Sequence, residues 1–285
     1  MNRRELLLSA GAAVLGISAF PMGWVAAADK KKQKLLYFTR SAGFEHDVVK
    51  RKGDELSFSE KTLIEMGKRA GFDVECSKDG KLFDGDLAQY DCIAFYTSGD
   101  LTKPCKQPGE PMSAEGKKKL LDAIAAGKGF VGIHAATDSF RSGGVDPYIA
   151  MIGGEFVSHG PQQVAKLTVA SPKFPGVGQY DSLSMNEEWY AVSKLAKDMH
   201  VILVQETAGM KGDCYNRPPF PATWARMHEK GRVFYTSFGH RDDVWTNPKV
   251  QEIMLGGIAW TMGNVQADVT PNIDKVTPKA NQLKN

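Results

Sequence analysis

The chain lacks most of the features that announce a protein class. Its formal net charge is only +3 over 285 residues, and the one basic run is the short Lys30-Lys31-Lys32-Gln33-Lys34. Nucleic acid is therefore not implied as a partner. There is no internal repeat and no low-complexity tract. With 42% hydrophobic and 24% charged residues the composition is that of a globular protein; disorder, collagen-like repeats and a membrane bundle are excluded. The four cysteines allow at most two disulfides. Cys92 lies inside an apolar run and reads as a buried thiol, whereas Cys105 and Cys214 stand in Pro/Gly-rich loops and could pair.

Motifs of several enzyme classes are also missing. No serine or cysteine sits in an elbow frame, which disfavours acyl transfer through a covalent intermediate. The glycine-rich piece Arg141-Ser142-Gly143-Gly144 does not fit a phosphate loop, so no nucleotide is expected. No compact His-Glu-x-x-His motif occurs.

The N-terminus stands apart. Arg3-Arg4 precedes a short apolar stretch diluted by Gly11 and Gly16, which ends in Val25-Ala26-Ala27-Ala28. This describes a twin-arginine (Tat-type) export signal over residues 1–28, cleaved before Asp29. The stretch is too short and glycine-rich for a transmembrane helix, which needs about 20 apolar residues. An exported, periplasmic location follows, with no transmembrane segment in the mature chain. Residues 29–33 form a basic linker, 34–264 one domain, and 265–285 a polar tail that wraps the surface or frays.

Within the domain, short apolar runs alternate with helical patterns. Strands are expected at 34–39, 72–77, 91–96 and 129–134, with helices at 57–70 (stopped by Gly71) and 113–126 (capped by Ser113). This is a mostly parallel α/β sheet covered on both faces. Beyond residue 160 strands dominate, at 164–170, 201–205, 222–227 and 232–236, before a last helix at 248–262. Ligands of such sheets bind at the carboxyl ends of the strands. Three of the six histidines, His46, His134 and His240, fall at or just beyond such ends.

His134 lies in Gly132-Ile133-His134-Ala135-Ala136, the small-residue frame of a nucleophile elbow, but with histidine where serine or cysteine would stand. His159 sits in a glycine-framed stretch, and Glu188 in Asn186-Glu187-Glu188-Trp189-Tyr190. Imidazoles with a carboxylate suit one divalent metal ion, zinc first, with His46, His134, His159 and Glu188 as candidate ligands. The metal-free alternative is acid–base catalysis by His134 and His240 with Asp138 or Asp242. Asp138 stands one helical turn after His134, within bonding reach, or else caps a helix. His200 and His228 read as structural. Phe44, Asp100, Trp189, Tyr190 and Trp245 near these loops suit a sugar, whose C–H faces stack on rings while its hydroxyls bond to polar groups.

Gly43-Phe44-Glu45-His46-Asp47, Gly129-Phe130-Val131-Gly132-Ile133-His134, Gly153-Gly154-Glu155-Phe156 with His159, Asn186-Glu187-Glu188-Trp189-Tyr190, and the segment 232–240 with Trp245 together resemble the ThuA-like (trehalose utilisation) family. The resemblance implies the flavodoxin-like three-layer sandwich of the class I glutamine amidotransferases. In that superfamily the elbow carries cysteine and a late strand is followed by a histidine with a carboxylate two residues on. Here the elbow is His134, so glutaminase activity is not inherited, and His240 with Asp242 matches the later pair. The resemblance also implies carbohydrate metabolism, of trehalose-like disaccharides or their 3-keto derivatives, alongside a sugar dehydrogenase. A non-catalytic carbohydrate-binding domain is the alternative, and an amide or ester hydrolase the weakest reading.

Overall fold

A computed structural model describes residues 32–282. The expected export signal lies outside the described residues, within which no helix is long and apolar enough to cross a membrane.

Five strands form a parallel half-sheet: β1 (Lys34–Phe38), β2 (Asp73–Ser77), β3 (Cys92–Phe95), β4 (Gly129–Ile133) and β11 (Gly231–Thr236). They lie in the order β2-β1-β3-β4-β11, the flavodoxin-like arrangement with its switch point between β1 and β3. Past β11 the sheet continues antiparallel through β10 (Phe220–His228), β9 (His200–Gln205), β6 (Gln163–Val169) and β7 (Ser182–Glu187), giving nine strands. A separate antiparallel pair, β5 (Glu155–His159) with β8 (Tyr190–Ser193), stands apart from the main sheet. β1, β3 and β4 are buried at nearly every position, so they read as unbroken apolar runs.

The helices start and stop where their caps dictate. α1 (Phe58–Ala70) opens with a capping box: Ser57 Oγ accepts from the Glu60 amide, and Glu60 returns a carboxylate oxygen to the Ser57 amide at 2.8 Å. It ends at Gly71, whose φ of 85° is left-handed. α2 (Ala114–Ala125) is capped by Ser113. α3 (Pro147–Ile152) and α4 (Asp242–Trp245) are short turns, while α5 (Pro248–Thr261) is buried along most of its length against the sheet. The loop between β6 and β7 approaches α5 so closely that it leaves no room at Gly256, where a Cβ would lie 1.9 Å from the Pro175 carbonyl oxygen.

The C-terminal segment wraps rather than frays as far as residue 282. Asn272 accepts from the Val201 amide at 2.6 Å, Ala280 is buried, and α6 (Ile273–Val276) packs on β9. All four cysteines are free, so Cys105 and Cys214 do not pair. Cys105 belongs to the loop that Arg40 and Gln107 tie to the end of β1, whereas Cys214 sits in a 3-10 turn beside β5.

Lys78, just past β2, is almost fully buried and donates to the Thr39 carbonyl at 2.7 Å. Burial lowers its pKa from 10.5 to about 8. Between those values the unfolded chain holds more protons than the folded one, so stability rises with pH there. Lys78→Met should remove this term: chemical denaturation at pH 8 and pH 10.5 should show the wild type gaining up to about 3 kcal/mol relative to the variant. Parallel pH profiles would exclude a neutralising lysine.

Candidate active site

His46 follows β1 on the loop that leads into a 3-10 turn, Asp47–Val49. His134 is the first residue after β4, and His240 lies four residues after β11. β1, β4 and β11 are parallel members of one half-sheet, so their carboxyl ends deliver the three imidazoles to the same edge. The carboxylate comes from the other half: Glu188 occupies the connection between β7 and β8.

At His134 the backbone adopts φ 44°, a left-handed conformation rare outside glycine. Its neighbours permit the turn. A Cβ at Gly132 would lie 2.7 Å from Ile152 Cδ1, and the Tyr235 hydroxyl holds the His134 carbonyl at 2.8 Å. This is the elbow geometry expected from the sequence, but the side chain is fully buried rather than open to a cleft.

The elements bring His46, His134, Glu188 and His240 together, with one ligand atom from each, all within 4.8 Å of one another. From Glu188 Oε2 the distances are 3.7 Å to His46 Nε2, 3.5 Å to His134 Nε2 and 3.0 Å to His240 Nδ1. Hydrogen bonding fixes the His134 tautomer. Its Nδ1–H must donate to the Ser237 carbonyl at 2.8 Å, which leaves Nε2 a bare lone pair, buried and without a partner. His240 Nδ1 is also buried without a bond in line. Burial pushes His134 down to about 4 and lowers His46 as well, so both imidazoles are neutral near pH 7. Glu188 is also desolvated, yet its histidine contacts hold it well below the usual carboxylate range. Burial opposes charge on His240 too, but the facing Glu188 raises its pKa. A buried carboxylate facing three imidazole nitrogens, with the His134 Nε2 a bare lone pair, is a set of groups that could hold a metal ion.

His159 stands outside this set. Its Nδ1 lies 3.3 Å from Glu188 Oε1 and donates to the Gly160 carbonyl at 2.9 Å, and its side chain is 43% exposed. It flanks the carboxylate instead of completing the cluster. Asp242 is exposed at the start of α4 and makes no bond to His240, which meets Glu188 and Gln162 instead. Asp138 does not reach His134. It accepts from Arg141 at 2.8 Å because the chain forms a 3-10 turn there rather than a regular helix. Asp100 caps its own turn by accepting from Thr102.

The aromatic set divides sharply. Trp189 and Trp245 are fully buried, with their indole N–H groups given to the Gln163 and Gly239 carbonyls, so both are core residues and neither can stack on a ligand. Tyr190 is also buried; its hydroxyl lies 3.2 Å from His46 Nε2 and supports that imidazole. Phe44 alone is open, 68% exposed.

Two supporting residues escaped the sequence reading of the site. Gln162 Nε2 donates to His240 Nε2 at 2.9 Å while its Oε1 accepts from Arg241. Glu187, raised to about 7 by burial, accepts from the amides of Gly239 (2.9 Å) and His240 (3.1 Å) and so fixes the loop that carries His240. The Glu-Glu pair signalled Glu187; nothing in the spacing signalled Gln162. A cavity of about 850 Å³ lies at the opposite, amino-terminal edge of the strands, beside Asp91, Lys128 and Arg232, far from these histidines.

The ThuA family, described as trehalose utilisation, matches the sequence over residues 34–261. The chain belongs to this family. ThuA membership supports a carbohydrate-related role. Among solved structures, a ThuA-like protein from Bacteroides uniformis is similar at 18% identity and a TM-score of 0.62, covering 85% of this chain and 95% of its own. A second, from Parabacteroides merdae, shows 17% identity and a TM-score of 0.62, covering 84% of this chain and 93% of its own. These likenesses show the fold. No curated protein matches the chain.

Proposed function

We propose that this ThuA protein is an exported, metal-dependent enzyme that processes trehalose-like disaccharides or their 3-keto derivatives, working beside a sugar dehydrogenase. The observation that carries the reading is the convergence of His46, His134, His240 and Glu188, with the buried His134 Nε2 left without a hydrogen-bond partner. Three imidazoles and one carboxylate suit zinc first among divalent ions, and such an ion would supply Lewis-acid polarisation of a sugar carbonyl.

The chain's own residues provide the rest. His46, His134, His240 and Glu188 would be the ligands, while the Ser237 carbonyl orients the His134 ring and the Gln162 amide the His240 ring from behind. His159 has its Nδ1–H committed to the Gly160 carbonyl, so Nε2 carries the lone pair of a proton acceptor. In a 3-keto sugar the hydrogen on the carbon next to the carbonyl is acidic. His159 would take that proton, and its return to the neighbouring carbon or to a leaving glycosidic oxygen would complete isomerisation or elimination.

Metal analysis of the natively purified protein, followed by turnover of a 3-keto-disaccharide before and after chelation, tests the proposal. About one divalent ion per chain and chelator-sensitive turnover are expected. Absence of metal with no chelator effect would overturn the metal assignment. Saturable sugar binding with no turnover would favour a carbohydrate-binding domain instead.

A further inference from the structure

A cavity of about 480 Å³ adjoins the histidine cluster and shares His240 with it; Phe44, Asp47, Gln162, Arg241, Asp242 and Asp243 line it. A volume of this size lies in the ~300–1,000 Å³ range of small-ligand sites. Phe44 is exposed and yet held in place. Its carbonyl accepts from Ser98 Oγ at 2.6 Å, and the preceding Gly43 amide bonds to the Ser98 carbonyl at 3.0 Å. A Cβ on Gly43 would come within 3.1 Å of the Gly99 amide nitrogen, so glycine lets this loop close down. The Phe44 ring stands edge-on to His46, with centroids 4.9 Å apart, so it borders the reacting centre.

The charge lining this cavity selects among ligands. Three carboxylates face a single guanidinium, and Arg241 is already engaged by Asp243 and Gln162 at 2.8 Å each. Among the described residues the Asp47 and Asp242 side chains have neither a hydrogen bond nor an ion pair. They are free acceptors for hydroxyl groups and repel anions.

We propose that this cavity is the subsite for the second ring of a neutral disaccharide, with Phe44 as stacking platform and Asp47 and Asp242 as hydroxyl acceptors, and that it discriminates against phosphorylated sugars. The inference rests on the disaccharide reading above and adds where the second ring sits and that the sugar carries no anionic group.

Calorimetric titration of the purified protein with trehalose, glucose and trehalose 6-phosphate tests it, with metal content measured on the same samples. Trehalose should bind about tenfold tighter than glucose or trehalose 6-phosphate. Phe44→Ala should erase the advantage over glucose and leave metal content unchanged, since Phe44 is exposed and donates no ligand atom. Asp47→Asn with Asp242→Asn should raise affinity for the 6-phosphate. Tighter binding of the 6-phosphate, no saturable binding of trehalose, or an unaffected Phe44→Ala variant would overturn the subsite. Metal-free protein with the disaccharide preference intact would refute only the metal assignment. Metal-loaded protein without that preference would refute only the subsite.

Discussion

His134→Ala should leave a folded protein that retains metal at least about 100-fold more weakly than the parent and no longer turns over a keto-sugar. Losing an outer contact to a metal ligand already costs about 10–100-fold in affinity, and in the proposed site His134 is a ligand itself. Its Nε2 is a buried lone pair, fixed in that state by the Nδ1–H bond to the Ser237 carbonyl. The fold should tolerate the change. The variant gives up the bond to the Ser237 carbonyl and sets alanine at φ 44°, a combined cost of about 2–4 kcal/mol. It also removes an unpartnered buried nitrogen, which offsets part of that loss. Circular dichroism and elemental analysis on one sample separate the outcomes. Metal retained at the parent level would remove His134 from the ligand set.

Arg51→Ala should produce a large loss of stability from a change away from the site. Glu60 is fully buried in the first turn of α1, and Arg51 meets its carboxylate with Nε at 2.9 Å and Nη2 at 2.8 Å. Thr39 Oγ1 and the Ser57 amide supply the remaining donors, both at 2.8 Å. Despite burial, these partners hold Glu60 below its ordinary pKa, so it is ionised at neutral pH. Removing only the guanidinium leaves an uncompensated buried charge, at a cost of about 3–5 kcal/mol. For a domain of this size that is a fall in Tm of roughly 6–20 °C. Replacing both partners, Arg51→Met with Glu60→Met, should recover much of the loss; a single variant as stable as the parent would show that the pair contributes nothing.

The parallel half of the fold was legible because its signals are local. The runs at β1, β3 and β4 are short and apolar, Gly71 and Ser113 mark helix ends, and small residues surround His134. β5 and β7 were not legible, since their mixed burial leaves no apolar run to read, and β8 is only four residues long. The same division holds at the site. Histidines beyond strand ends could be collected from the sheet rule, and Glu188 from its acidic pair. Trp189 and Trp245 misled because proximity in sequence to a polar loop says nothing about which way an indole points. Asp242 misled because Glu188, distant in sequence, already occupies the position facing His240. Gln162 was invisible because its role depends on a loop packing against another some eighty positions away.

Glu188 directly follows β7, the far strand of the antiparallel extension, whereas its three partners follow strands of the parallel half. The cluster therefore joins residues from 46 to 240, and it exists only once both halves have docked. Contacts of such long range form late in folding, because loop closure precedes any gain from them. An ion bound there would act as a clasp between segments far apart in the chain. Formed after the transition state, as long-range contacts tend to be, it would slow global unfolding and leave early folding steps untouched.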